Sequence, residues 1–472
     1  MIDTVTLLKL FGTIVVASPA FLVAVLGSAS LIGRPLSERA SFRMVSLSTV
    51  LGLLAAIGIL IVMIVGKSLH VELVVGNWVH FEGIAHESHY HFAIKFQFDR
   101  LSVPFVILTY VLCSAIGTFA NRYMHRESGY NRFFTLYSIF VAGMVIAATS
   151  GTIETLFLGW ELVGLSSALL VGYFHERPAP VRNALRIWVI YRFSDAALLL
   201  AALVLHHMTG EGDFDRVTGY RDVLGSALPP TSWPDGSCTL MPFEALAVGG
   251  LLLAAAMGKS ALVPFSGMLP RANEGPTPSS AVFYGALSVH LGAYLLLRSG
   301  PLLDASPVLS TATVVLGLAT SFLAMLSGRV QTDVKSALSY ASMTQVGLIV
   351  AEIGLGWRYL PLIHIIGHAC LRTLQFIRAP NAIRDHKWIE NALGQRVARS
   401  NSTKFTWLYR FALERGYFDA LLDRYIALPF ITLFRWFSQL EQRVSAKLAG
   451  TEHNPPSQNP TGSPPLSSEE RR

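Results

Sequence analysis

FLGWELVGLSSALLVGYF, residues 157–174, reads as a membrane-spanning helix with one ionisable side chain near its middle, Glu161. A lone carboxylate at that depth costs roughly 2.5 to 3.5 kcal/mol on insertion scales. Glu161 must therefore have a partner or perform work that offsets the cost.

The rest of the chain is of the same kind. Of 472 residues, 52% are hydrophobic and only 14% charged, too apolar a balance for a soluble fold. Apolar runs long enough to span occur at about 5–26, 44–66, 99–120, 131–149, 152–173, 183–206, 243–266, 277–298, 302–326, 335–353 and 357–377. They predict an all-α, polytopic transmembrane helix bundle of about 11–12 spans. Residues 1–378 are expected to form the bundle, 379–448 a cytoplasmic amphipathic segment ending in an interfacial or final transmembrane helix, and 449–472 a disordered tail. Within the second part, FDALLDRYIALPFITLFRWF is interrupted by Asp419, Asp423, Arg424, Pro429 and Arg435, which favours an interfacial helix over a span.

The net charge of +7 does not gather into a nucleic-acid patch. Arg34, Arg39 and Arg43, then Arg122, Arg126 and Arg132, then Arg177 and Arg182, and later 378–410, mark alternate connections as cytoplasmic. That topology places the N-terminus outside, with the connections around 67–95 and 208–242 on the same outer side. The start MIDTVTLLKLFGTIVV lacks a basic n-region and a nearby cleavage site, so no removed signal peptide is expected. Cys113, Cys238 and Cys370 form no CxxC pair, which argues against a disulfide framework or an iron–sulfur cluster.

Other buried ionisable groups join Glu161. In VIYRFSDAALLL, Arg192 and Asp195 stand three residues apart on one helical face, as a packing clamp or as part of an ion path. In MGKSALVPFSG, Lys259 precedes Pro264 by five residues. The proline disfavours α geometry before it, so the helix is expected to break there and open a polar cavity in which a desolvated lysine exchanges a proton. In PLIHIIGHACLRTLQF, His364, His368 and Arg372 recur every four residues as one polar stripe, suited to proton transfer or to bonding carbonyls in a tight bundle. His290 stands alone on its helix, and Lys335, with Asp333 close by, starts another as a relay entrance or a solvated helix start. The segment VHFEGIAHESHYHF carries His80, His86, His89 and His91, but no firm ligand spacing supports a metal, and a polar hairpin outside the membrane is the simpler expectation.

These residues carry a resemblance. FDRLSVPF, LGWELVGLSSALLVGYF, YRFSDAALLL, GKSALVPFSG, EGPTPSSAV, VQTDVKSALSYASMTQVGL and HIIGHACLRTL resemble, in the same order, the antiporter-like proton-pumping subunits of respiratory complex I and the Mrp cation/proton antiporters, over about residues 95–377. FDALLDRYIALP also looks like the C-terminal end of the largest of those complex I subunits. The resemblance implies that Glu161 and Lys259 form the coupled pair of a proton half-channel, biased by Arg192 and Asp195, with His364, His368 and position 372 at the channel centre.

Departures from the pattern are informative. Arg372 replaces the family's lysine, and a guanidinium does not release its proton, so Arg372 is expected to act as a gate or fixed charge. The family's pocket histidine falls at Tyr284. No second broken helix with its own lysine follows Arg372, so a truncated second half is expected. With HACLRTLQFIRAP, the sequence looks most like the DabB-type membrane subunits of DAB inorganic-carbon accumulation complexes. That resemblance implies a bacterial inner-membrane protein without a cofactor of its own, which couples the proton motive force to CO2 or bicarbonate accumulation. It also implies a large, peripheral, DabA-like zinc-containing partner on the cytoplasmic side that carries the hydration chemistry. The alternatives are a complex I or Mrp-type antiporter subunit, or a passive anchor for a soluble enzyme.

Overall fold

The computed structural model describes residues 4–66, 70–81, 90–209, 212–214, 233–234, 238, 240–393 and 406–448. The fold is helical apart from one hairpin. Two long outer helices, α1 (Thr4–Leu31) and α2 (Glu38–Gly66), pack against each other and lead into antiparallel strands β1 (His70–Phe81) and β2 (Tyr90–Asp99). The span expected from residue 99 therefore starts after a strand: α3 is Ser102–Tyr123. Its start is fixed by Asp99, whose Oδ1 accepts from the backbone of Leu101 at 3.1 Å and of Ser102 at 2.8 Å. Those are the donors a helix start leaves unpaired.

Helices α4 (Tyr130–Thr149) and α5 (Ile153–Val171) cross at backbone contact. A Cβ on Gly159 would stand 2.4 Å from the backbone nitrogen of Ala147, so only glycine fits beside Trp160 and Glu161. The turn between them is joined to β2, with Gly151 donating to the Lys95 carbonyl at 2.8 Å and a bridge from Phe96 to Ser150. Thr152 caps α5, accepting from the Thr155 backbone at 3.2 Å. Helix α6 (Pro178–Thr209) then packs on α5 and on α7 (Pro242–Lys259).

The break expected at Pro264 comes earlier than the run 243–266 suggests. Helix α7 ends at Lys259; Ala261 takes a left-handed φ of 54°, and short turns Phe265–Gly267, Met268–Arg271 and Ala272–Glu274 follow. The next span, α8 (Thr277–Arg298), has all of its described side chains buried in the bundle. It is not the smooth helix its apolar run suggests, because a π turn at Ala281–Ala286 and a 3-10 turn at Ser288–His290 interrupt it. Helices α9 (Pro307–Arg329) and α10 (Val334–Gly354) approach through glycine: a Cβ on Gly347 would stand 2.6 Å from the Gly317 carbonyl oxygen. Helix α11 (Tyr359–Leu393) is continuous past residue 378, where the sequence placed a boundary.

Ten helices among the described residues are long and apolar enough to cross a membrane, against eleven expected runs. The difference is α10, which carries Gln345 and Glu352 and which lies between α9 and α11. The molecule is a multi-pass integral membrane protein. A first unit, Met1–Phe418, holds the bundle and the short helix α12 (Thr406–Leu413). The second unit, from Asp419, contains α13 (Leu428–Leu448), which is not among the membrane-crossing helices and which exposes Leu433, Trp436, Phe437, Leu440 and Val444. The tail 449–472 lies outside the described residues.

Candidate functional site

Helices α5, α6 and α7 bring the first set of charges together. Arg192 Nη2 donates to Glu161 Oε2 at 2.6 Å and also lies 2.6 Å from Asp195 Oδ2. One guanidinium thus holds carboxylates from two helices, while its plane lies 4.0 Å from the Trp188 ring centre. The three-residue spacing made the Arg192–Asp195 pair legible; the bond across to Glu161 depends on how α5 and α6 cross.

Lys259 is 1% exposed. Its Nζ donates to the Trp160 carbonyl at 2.6 Å and lies 4.9 Å from the Trp160 ring centre and 4.7 Å from that of Tyr191. The lysine therefore bonds the residue before Glu161, and the Glu161 and Asp195 carboxylates act on it as nearby charges. It is the last residue of α7, where the free carbonyls of the helix end favour a cation. The helix has already ended at this depth, and the Val263 N–H beyond it is satisfied by Thr320 Oγ1 at 3.1 Å.

The second set surrounds the centre of α8. His290, left open by the sequence, is fully buried and its Nε2 lies 2.9 Å from His368 Nδ1. Arg372 donates from Nε to His368 Nε2 at 3.3 Å and from Nη1 to Gln375 Oε1 at 2.6 Å. His364 stands between Glu352 Oε1 at its Nδ1 and Gln345 Oε1 at its Nε2, both at 2.9 Å. The two α11 rings are 6.5 Å apart. The two sets are neighbours, since a Cβ on Gly292 would stand 2.3 Å from Ser260 Oγ, next to Lys259 and two residues beyond His290.

Lys335 donates to Thr277 Oγ1 at 3.0 Å, at the start of α8. Asp333 caps α10, its Oδ2 accepting from the Ser336 backbone at 2.8 Å. Tyr284 falls in the π turn and its side chain lies outside the described set, as do those of His80 and His91, which face each other in the hairpin register. His86 and His89 lie outside the described residues altogether. Among the described residues, no three His, Cys, Asp or Glu side chains converge as metal ligands.

Sequence reasoning missed Glu352 and Gln345. Glu352 carried only a weak signal, because it lies in the last turn of α10, where a charge reads as a helix end reaching the membrane surface. Gln345 carried none, because an uncharged amide in a membrane helix is unremarkable until a histidine faces it.

Comparison with known proteins places the chain among membrane subunits of one family. The family described as "NADH:quinone oxidoreductase/Mrp antiporter, TM" matches residues 150–407, and "NADH-Ubiquinone oxidoreductase (complex I), chain 5 N-terminus" matches residues 85–134. NADH-ubiquinone oxidoreductase chain 5 of Schizophyllum commune is 31% identical over 308 residues, covering 65% of this chain and 42% of that protein. NADH-quinone oxidoreductase subunit L of Escherichia coli is 32% identical over 285 residues, 60% of this chain and 44% of that one. The match thus spans less than half the length of these relatives. Among solved structures, a chain of the Mrp complex from Dietzia sp. DQ12-45-1b superposes with a TM-score of 0.59 at 24% identity, over 86% of this chain and 40% of that one. A chain of the membrane-bound sulfane sulfur reductase, an archaeal respiratory membrane complex, gives 0.62 at 16% identity, over 85% and 76%. At these identities the two structures speak to fold alone. With that family model matching residues 150–407, more than half of the chain, the chain is a member of the NADH:quinone oxidoreductase/Mrp antiporter transmembrane family.

Proposed function

We propose that this chain conducts protons through the membrane as the antiporter-like subunit of a larger assembly. The observation that carries the reading is the juxtaposition of Glu161, Arg192, Asp195 and Lys259 with the His290–His368–Arg372 cluster inside one bundle. Lone structural clamps would not need two ionisable clusters side by side at membrane depth, given what each costs there. Protons exchange through Glu161 and Lys259 under the bias of Arg192 and Asp195, and pass on through His364 and His368, with Lys335 at a mouth of the path where α8 and α10 begin. The N-terminus lies outside, as the Lys and Arg distribution favours.

Arg372 controls the last step. Its Nε–H points at His368 Nε2, so that nitrogen accepts and the ring carries its hydrogen on Nδ1, donated to His290. His368 is thereby kept from taking a second proton while His364, facing the Glu352 carboxylate, is placed to hold one. A turn of Arg372 towards Gln375, which it already bonds, releases His368.

Two assemblies fit such a subunit. The names of the relatives favour a complex I or Mrp-type cation/proton antiporter. The finer reading, inorganic carbon accumulation with a peripheral DabA-like zinc partner, is supported by Arg372 where the family pattern has lysine and by the HACLRTLQFIRAP segment. One charge falling through about 150 mV supplies roughly 3.5 kcal/mol, enough to sustain a concentration ratio of a few hundred for one bicarbonate per proton. In a bacterial inner membrane the protein that co-purifies decides between them.

The test of conduction is proton flux into vesicles reconstituted with the chain and its natural companion. Glu161→Gln and Lys259→Ala are each expected to abolish flux that the wild type supports. Wild-type flux in both variants removes these residues from the path.

A further inference from the structure

The seam between α5 and α6 carries a second ionisable couple, at the end where the hairpin docks. Glu154 lies seven residues before Glu161; at 3.6 residues per turn this is the same face of α5, roughly 10 Å along the axis. His206 lies eleven residues after Asp195, close to three turns, and so on the same face of α6. Across the seam the two meet, with His206 Nε2 2.9 Å from Glu154 Oε1 and the side chains 2% and 13% exposed. Phe92 stacks on the imidazole at 4.7 Å and covers it.

Donor chemistry fixes the protonation of this couple. His206 Nδ1 lies 2.9 Å from the Ala202 carbonyl, which only accepts, so Nδ1 carries a hydrogen. Nε2 stands at ion-pair distance, 2.9 Å, from a buried carboxylate neither of whose oxygens accepts a hydrogen bond among the described residues, so an unprotonated couple would leave a bare negative charge out of water. A proton therefore sits on the couple, as imidazolium with carboxylate or as imidazole with carboxylic acid.

The couple connects to the surface. The described groups around it are Asp213, Lys95, Glu72 and His70: Lys95 Nζ lies 3.3 Å from Asp213 Oδ2 and 3.1 Å from Glu72 Oε2, and His70 Nε2 lies 3.1 Å from Glu72 Oε1. Asp213 follows Gly212, where a Cβ would stand 2.1 Å from Glu154 Oε1. The Glu72 side chain is 37% exposed, so titratable groups run from buried couple to surface. Towards Glu161, the same face of α5 offers only Phe157 and Leu158.

We propose that Glu154 and His206 share one proton and form the terminal through which the α5–α6 seam exchanges protons with the aqueous side at the hairpin end. The couple passes its proton towards Glu161 and is reloaded from solution past Lys95, Asp213 and Glu72. Only O–H and N–H bonds form and break, and the couple alternates between neutral and singly negative. The apolar step at Phe157 and Leu158 is crossed only when water enters, which separates loading from delivery. The transport role rests on the conduction reading above; the shared proton does not.

Two measurements test it. In vesicles holding the chain and its companion, Glu154→Gln and His206→Gln are each expected to slow proton flux roughly a hundredfold, the lower end of what a positioned proton donor supplies. In wild-type protein with 15N-labelled histidine, one imidazole is expected to resonate as charged or proton-sharing at neutral pH, and that signal is expected to change in Glu154→Gln. Unchanged flux in both variants, with Glu161→Gln abolishing it, overturns the terminal and leaves conduction standing. Unchanged flux in Glu161→Gln overturns conduction, and with it the terminal's transport role. The resonance decides the shared proton whether or not a variant folds: a neutral imidazole signal for every histidine of the wild type overturns it.

Discussion

Arg372 donates its Nε–H to His368 Nε2 at 3.3 Å, and this bond decides which proton His368 carries. A lysine at the same position has no planar fork to hold that geometry. Arg372→Lys is therefore expected to free His368 and raise passive proton conductance about tenfold, the equivalent of losing one charge-assisted hydrogen bond of about 1.5 kcal/mol. Dye quenching in vesicles without a companion protein measures it.

Arg192 joins two carboxylates from within a membrane-spanning helix, and its 41% exposed side chain faces lipid rather than water at that depth, so losing one partner leaves a costly charge. In a double-mutant cycle of Arg192→Gln and Glu161→Gln, the two single variants together should lose more stability than the double variant, read by thermal or denaturant unfolding in detergent.

The same holds for Asp99 and Arg298, whose side chains are 1% and 4% exposed. Arg298 Nη1 bonds Asp99 Oδ2 directly, and its Nη2 donates to the Tyr294 hydroxyl at 3.0 Å. Removing one partner strands a buried charge. Arg298→Met is expected to destabilise by about 3–5 kcal/mol, and adding Asp99→Asn should recover part of that, read as the yield of folded protein and its unfolding midpoint.

Gly159→Ala is expected to cost about 1–3 kcal/mol, because the new methyl meets the α4 backbone and the helices must part. The same displacement draws Glu161 away from Arg192, so proton flux should fall together with the melting temperature.

Burial raises the Asp213 carboxyl above the ordinary aspartate range, against the lowering effect of Lys95. A group whose folded value is raised adds stability that is complete at low pH and fades as pH rises through that value. Melting temperature in detergent should accordingly decline less between acid and neutral pH in Asp213→Asn than in the wild type.

Much of this protein was legible because lipid punishes charge. Glu161, Arg192, Asp195, Lys259, His364 and His368 stood out as ionisable groups in apolar runs, and Pro264 announced the helix break near Lys259. Glu352, the partner of His364, escaped that rule because it stands in the last turn of α10. The irregular course of α8 had no such signature: its π and 3-10 turns sit in an apolar run with no proline between Ala281 and His290.

The sequence alone determined the number and order of the membrane helices to within one, and which side chains need a partner, since both follow from local hydropathy and spacing. Only the tertiary structure decided who the partners are. Arg192 serves Glu161 as well as Asp195, Lys259 takes the Trp160 carbonyl, and His290 meets His368 across 78 residues of chain. Those choices depend on where helices cross, which glycine contacts such as Gly159 against Ala147 set to a fraction of an ångström and which no periodicity along a single helix encodes.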